Sequence, residues 1–255
     1  MGDWRDLEEE LARWRDGGRR ATFWWRDDDA VAPGPRLDRL LGLADAAGAP
    51  LALAVVPGAS GQALAAALRG HDRVSVLAHG LRHRNLAPVG EKKAEFGAHR
   101  PVHEMLGDAA IGWEALSARF GALARPVFVP PWNRVDGRLL ARLPLAGLSG
   151  LSRYGARRSR QPAPGLVECN CHLDPVDWRG GRGFLGRQAA LEMLLDHLRR
   201  RRLGEVDGDE PSGILSHHAV CDEAGWEFLA ELLANLRDCD GAHWLTADEI
   251  FRLPA

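Results

Sequence analysis

The sequence holds few cysteines, no long uninterrupted apolar run and almost no net charge. Its four cysteines, Cys169, Cys171, Cys221 and Cys239, are too few and too irregularly spaced for a disulfide framework or a CxxC zinc knuckle. They read as reduced thiols. No apolar stretch reaches the roughly eighteen residues of a membrane span, and the opening MGDWRDLEEELARWRDGGRR is charged where an export signal needs an apolar core. The expected setting is cytoplasmic, away from membranes. With 33 basic against 35 acidic side chains, nothing draws the chain in bulk to nucleic acid or anionic lipid. No G-x-S-x-G elbow is present, which argues against serine-hydrolase chemistry, and no internal repeat or shift in composition marks a domain boundary.

What is present is alternation. The 255 residues, 45% of them hydrophobic, suffice for one sizeable barrel or two small domains. The expected division is a leader helix over 1–20, carried by Leu7, Leu11 and Trp14, and a single barrel domain over 21–255. From residue 21 onward short apolar runs alternate with amphipathic stretches, the pattern of strands each followed by a helix in a mainly parallel sheet. The strand candidates are 21–26, 51–56, 73–78, 126–129, 146–151, 166–171 and 213–216. The helix candidates are 36–47, 61–68, 108–120, 136–143, 184–203 and 223–237. Arg199 to Arg202 read as a solvated helix terminus complementing the helix dipole. Two segments, 84–107 and 152–165, are rich in proline, glycine and charge and read as long surface loops, the usual place for binding or lid elements.

In a parallel α/β barrel the chemistry sits where strands end. After the first candidate strand come Asp27, Asp28 and Asp29; after the third, His79-Gly-Leu-Arg-His83; after the fourth, Pro130-Pro131-Trp132-Asn133-Arg134; after the sixth, His172 and then Asp174-Pro-Val-Asp177-Trp178; after the seventh, His217-His218. Three adjacent carboxylates repel one another unless a cation relieves them. On a helical turn, His79 and His83 would share one side at a separation suited to one metal ion. Two imidazoles and a carboxylate leave open positions for water and substrate, as a catalytic zinc site requires, with cobalt, nickel or manganese nearly as well suited as zinc. His99 and His103 repeat the spacing but enclose Pro101 in an irregular stretch, and His71, His197 and His243 read as surface or packing residues. Cys169-Asn-Cys171-His172 reads as buried strand cysteines rather than a metal site. Alternation sends His217 and His218 to opposite faces, so at most one enters the site. Trp25, Trp132 and Trp178 lie beside the site, whereas Trp4, Trp14, Trp113 and Trp226 fall on helices and read as packing residues.

These residues resemble the polysaccharide deacetylases, the NodB-like carbohydrate esterases of family four. The likeness spans most of 21–251. An apolar strand ending in paired aspartates is matched by Phe23-Trp-Trp-Arg-Asp27-Asp28-Asp29, the histidine pair by His79-Gly-Leu-Arg-His83-Arg-Asn85-Leu86, and the arginine-proline-proline-aromatic motif in part by Val129-Pro130-Pro131-Trp132-Asn133. The Asp-x-x-Asp-Trp motif is matched by Asp174-Pro-Val-Asp177-Trp178, and Leu-x-His by Leu215-Ser-His217, all in the family's order. The resemblance implies an α/β fold, a distorted (β/α)7 barrel. It also implies metal-dependent removal of an acetyl or other acyl group from an N- or O-acetylated saccharide or a related small amide. Carried over, Asp27 is the base, Asp28, His79 and His83 hold the divalent ion, His217 is the general acid, and Pro130, Pro131, Trp132, Asp174 and Trp178 shape the substrate groove.

Two departures stand out. Arg26 and Asp29 flank the acids where the family places Phe and Gly, so the base and ligand pair can also be read as Asp28 and Asp29. The family's orienting arginine is replaced by Val129, leaving Arg26 or Arg134 to supply its charge. Other readings are a catalytically weakened barrel serving as a saccharide-binding or regulatory module, and a deacylase of a non-carbohydrate amide. A small or oligomeric acylated sugar is the expected substrate; the number of subunits is left open.

Overall fold

The computed structural model describes residues 2–252. Met1 and residues 253–255, the outer ends of the two expected segments, lie outside them. The elements, in order, are α1 (Trp4–Asp16), β1 (Ala21–Ala30), α2 (Pro35–Ala47), β2 (Leu51–Val55), α3 (Gln62–Ala67), β3 (Val74–His79), α4 (Val102–Phe120), β4 (Ala124–Val129), α5 (Gly137–Leu140), β5 (Gly150–Leu151), β6 (Val167–Glu168), α6 (Arg187–Leu203), β7 (Ser212–Ser216), α7 (Glu223–Arg237), β8 (Ala242–Trp244) and α8 (Ala247–Ile250). The strands pair in parallel in the order β6-β5-β4-β3-β2-β1-β7, with β8 added against the start of β1. Beyond β6 the chain bends so that Leu173 pairs with Ile214 of β7. This brings the two ends of the curled sheet together as the expected distorted (β/α)7 barrel.

Side-chain alternation explains the two cores. Phe23, Trp25, Leu53, Val55, Val76, Ala78 and Ile214 face outward into the layer shared with the helices. Trp24, Ala52, Ala54, Leu77, Val127, Val129, Cys171 and Leu215 face the barrel interior. A strand buried on both faces reads as a continuous apolar run, the period-two signal showing only in which residues meet. The cysteines Cys169 and Cys171 are buried, free and interior, as expected.

Three sequence expectations change. Helix α4 begins at Val102, with Pro101 at its N-cap, so the loop expected to reach Gly107 ends earlier. Proline at a helix start loses no hydrogen bond, which makes it a start signal as much as a breaker. Strands β5 and β6 are only two residues long, leaving that wall of the barrel to loops. Arg201, read as solvated, is 2% exposed; its guanidinium donates to Thr22 O, Thr22 Oγ1 and Ser212 Oγ and lies over Trp14 of α1. Arg202 donates to Glu10, which is buried on α1. Leu7, Leu11 and Trp14 pack into the outer core.

Candidate metal and acid-base site

The carboxylate that joins the histidine pair is Asp29, not Asp28 as expected. Asp29 Oδ1 stands 3.2 Å from Nε2 of both His79 and His83. Alternation along β1 sends Arg26 and Asp28 inward with Trp24, and Asp27 outward with Trp25. At Asp29 the pattern breaks: the pairing of β1 with β2 shifts register between Asp27 and Ala30, and Asp29 takes φ 71°. A bulge of this kind re-aims a side chain, and here it turns Asp29 back over the rim beside His79, the last residue of β3.

His79 Nδ1 lies 3.0 Å from the Val129 carbonyl. A ring proton donated there leaves the Nε2 lone pair facing Asp29, the usual second contact of a metal-binding imidazole. His83 reaches the same point through a tight loop rather than the helical turn expected from its spacing. Gly80 at φ 59° and His83 at φ 52° make the bend, and the buried Glu95 carboxylate accepts the amides of Leu81, Arg82 and His83. Gly80 has no room for a side chain, since a Cβ would come within 2.4 Å of Glu95 Oε2 and 2.6 Å of Pro131 Cγ. Asp29 Oδ1 is buried with no hydrogen-bond partner. Burial alone would raise the Asp29 pKa, but the two imidazoles that face it, His79 first, hold it well below the carboxylate range. An unpartnered carboxylate oxygen facing two imidazole nitrogens fits a divalent ion of the zinc class.

Asp28 is buried beside Arg26 instead. Arg26 Nη2 donates to Asp28 Oδ2 at 3.0 Å, and Nε stands 2.8 Å from Oδ1. The rest of the guanidinium is held by Ser152 Oγ, the Arg153 carbonyl and Asn133 Oδ1. Of the two arginines expected to stand in for Val129, Arg26 is the one buried against Asp28, while Arg134 is exposed and bonds the Lys93 carbonyl. Burial opposes the Arg26 cation, but the charge of Asp28 more than compensates and its pKa is raised.

Asp27, the expected base, is fully buried and faces away. It accepts from Ser216 Oγ at 2.6 Å and the His218 amide at 2.9 Å, and its other oxygen meets His218 Nδ1. Trp25 Nε1 donates to Ser216 Oγ, so Trp25 belongs to this latch between β1 and β7 rather than to a groove. His217 turns to the other side: its Nδ1 lies 3.9 Å from Asp174 Oδ1 and is otherwise unpartnered, and its ring packs edge-on against Trp178 at 4.8 Å. Asp174 accepts Trp178 Nε1 at 2.7 Å, and burial raises its pKa. Trp178 is 46% exposed. Trp132 packs against His83 with ring centroids 4.4 Å apart; Pro131 is buried under Gly80, and Pro130 is buried at the end of β4. Of the five non-glycine residues with positive φ among the described residues, Asp29, His83, Trp132 and Asn133 all line this rim. Backbone strain of this kind persists where surrounding structure enforces it.

His172, His197 and Glu210 form a second cluster, fully buried between α6 and the sheet. The Gly213 amide donates to His172 Nδ1, so the neutral ring carries its proton on Nε2, facing Glu210 Oε2 at 3.4 Å. A nitrogen holding a proton cannot ligate, and the cluster is a polar array inside the core. His197, expected at the surface or in packing, is 3% exposed.

Glu95 and Ser152 were not singled out in the sequence, and Asn133 and Ser216 stood in the quoted motifs without a role. Glu95 lies in an irregular segment with no periodic signal, and the others act through contacts far along the chain.

No protein-family profile matches the chain, and no curated protein matches it either. Solved structures do. A family 4 carbohydrate esterase from Streptomyces lividans in complex with acetate is 16% identical, with 92% of this chain and 97% of that one covered and a TM-score of 0.55. The peptidoglycan deacetylase PdaC from Bacillus subtilis, as a D285S mutant, is 13% identical, with 91% and 90% covered and a TM-score of 0.57. A family 4 acetyl xylan esterase from Clostridium thermocellum in complex with a cobalt ion is 14% identical, with 90% of each chain covered and a TM-score of 0.52. The chain therefore has the fold of the NodB-like family-four deacetylases and esterases.

Proposed function

We propose that this chain, built on the fold of the family-four carbohydrate esterases, is a metal-dependent hydrolase that removes acetyl groups from an N- or O-acetylated saccharide. The observation that carries the reading is the meeting of His79 Nε2 and His83 Nε2 on the unpartnered Oδ1 of Asp29. Asp29, His79 and His83 would hold the ion. A divalent ion bound there supplies Lewis-acid polarisation of the acyl carbonyl and lowers the pKa of water.

The remaining work falls to the chain's own side chains. Asp28 is the general base, its carboxylate oriented by the Arg26 guanidinium. His217 is the general acid in its imidazolium form: its Nδ1–H faces Asp174, its Nε2–H proton passes to the departing amine or alcohol, and the neutral ring left behind keeps its proton on Nδ1. Trp178, exposed and fixed by its bond to Asp174, offers a flat face to a sugar ring. Trp132, packed on His83, forms the opposite wall with Pro130 and Pro131. The known neighbours named as acting on saccharides, one with cobalt and one with acetate, support this choice of substrate and ion.

The test is metal analysis of the purified full chain together with an acetate-release screen over chito-oligosaccharides, acetylated xylo-oligosaccharides and peptidoglycan fragments. About one divalent ion per chain and acetate release from at least one class are expected. A chain that binds no divalent ion in titration with zinc or cobalt overturns the proposal.

A further inference from the structure

Arg26 bonds two residues, Asn133 and Arg153, that line an open volume away from the histidine pair. Where β5 and β6 shrink to two residues each, the wall of the barrel is made by the loop 152–165. There a cavity of about 630 Å³ is lined by Asn133, Arg153, Tyr154, Arg158, Glu168 and Asn170. Asn133 belongs to both sides, since its Oδ1 accepts from the Arg26 guanidinium that holds Asp28. The Arg153 carbonyl accepts from the same guanidinium. A ligand seated in this cavity is therefore linked to Asp28 through two side chains, Asn133 and Arg26.

The charges of the lining are unequal. Arg153 donates from Nε and Nη2 to the buried Glu168 carboxylate, and Asn170 Nδ2 also donates to it. Glu168 is thus consumed by the wall. Arg157, the neighbouring cation, faces elsewhere, bonded to Asp207 and to the Glu168 carbonyl. Arg158 is exposed and has no carboxylate partner among the described residues, so it is the guanidinium of the lining that remains unpaired there. Tyr154 is 42% exposed, and its hydroxyl donates to the His172 carbonyl, which pins the ring and leaves its face free. An aromatic face beside an unpaired guanidinium suits a sugar ring that carries a carboxylate, because guanidinium binds a carboxylate through two parallel donors.

We propose that this cavity is a remote subsite for a uronic acid or other carboxylate-bearing sugar, with Arg158 as the specificity-determining residue and Tyr154 as the stacking platform. The substrate of the site is then an acidic acylated oligosaccharide. This deepens the deacylase reading and rests on it for turnover, but not for binding.

The test uses the full, metal-loaded chain and two matched probes: acetylated xylo-oligosaccharides with and without a glucuronic acid branch. The ratio of kcat/KM for the acidic probe to that for the neutral probe is expected to exceed one and to fall about tenfold in Arg158→Gln, the fall residing in KM. Arg160→Gln, on the same basic loop but outside the cavity lining, separates a built subsite from general basic attraction. Calorimetric binding of the deacetylated forms of both oligosaccharides supplies a readout without turnover. Preferential binding of the acidic form that Arg158→Gln abolishes supports the subsite even if no acetate is released, in which case only the deacylase reading fails. Equal binding of the two forms, or an Arg160→Gln effect as large as that of Arg158→Gln, overturns it.

Discussion

Replacing Arg26 by methionine keeps most of the side-chain volume and removes the guanidinium, leaving the Asp28 carboxylate in the interior with no countercharge. The Arg26 side chain is 0% exposed and that of Asp28 4%, so water cannot take over. Removing one partner of a buried ion pair costs about 3–5 kcal/mol, a fall in Tm of roughly 6–20 °C for a chain of this size. Asp28→Asn is milder, because Arg26 keeps Ser152, Asn133 and the Arg153 carbonyl and the amide oxygen can still accept from it. About 2–3 kcal/mol is expected. In the double variant Arg26→Met/Asp28→Asn no buried charge remains unpaired, so its cost should fall short of the sum by about 2–3 kcal/mol. The contacts of Arg26 to Ser152 and Asn133 are lost in the single and double variants alike and cancel from the cycle. Urea unfolding of the four proteins, with equal m-values as the check on two-state behaviour, measures the coupling. Additivity within about 0.5 kcal/mol would refute the claim that this pair is one electrostatic unit.

Other perturbations probe the remaining links. His79→Ala, His83→Ala and Asp29→Asn should each strip the divalent ion, whereas Asp27→Asn should retain it, since Asp27 faces Ser216 and His218; elemental analysis decides, and metal loss in Asp28→Asn with retention in Asp29→Asn would restore the sequence-based register. Gly80→Ala forces a Cβ against Glu95 and Pro131 at positive φ and should cost about 1–3 kcal/mol while weakening cobalt binding, as read by thermal unfolding and titration; an unchanged Tm contradicts the described loop. Burial holds the pKa of both His172 and His197 below the imidazole range, so the stability they contribute is present above their unfolded pKa near 6.5 and is lost as pH falls, each at up to about 1.4 kcal/mol per pH unit. Burial raises Glu210 to about 7, which works in the opposite direction between its unfolded and folded values. Within this cluster the two imidazoles outweigh the one carboxyl from about pH 6 to about pH 5, so its contribution to stability falls as pH falls. Denaturation across that range should show stability falling less steeply with falling pH in His197→Gln than in the unsubstituted chain, by up to about 1.4 kcal/mol per unit; an equal slope in the variant would count against the cluster as its source.

Much of the fold was legible because both periods were clean. The apolar runs of β1, β2, β3, β4 and β7 lie between amphipathic stretches that became helices, and Leu37, Leu40, Leu41 and Ala44 of α2 are buried at the spacing that marked them. Strand β8 and the start of α4 were missed, one for its three residues and the other because proline signals both ends of a helix. The histidine pair was visible in the sequence; which aspartate joins it was not. Period two correctly separates Asp27 from the inward pair Arg26 and Asp28, but it also predicts that Asp29 points away. Only the bulge and the left-handed conformation at Asp29 reverse that, and no residue pattern announces them in a run of three identical acids. Alternation did hold for His217 and His218, which take opposite sides. The replacement for the arginine absent at Val129 was among the candidates, and geometry selects Arg26 because it alone of the two is buried beside Asp28.

Arginine and carboxylate sit two places apart on one strand, so the distance between them is set by the rise of β1 itself and not by how a neighbouring strand docks. The segment after β4 then contributes only Asn133 Oδ1 to the far side of the guanidinium, and its aromatic residue Trp132 takes no part in holding the acid. Sequences organised in this way are best searched for by an R-x-D spacing at the end of the first strand, since a search that demands arginine before the proline pair will pass over them.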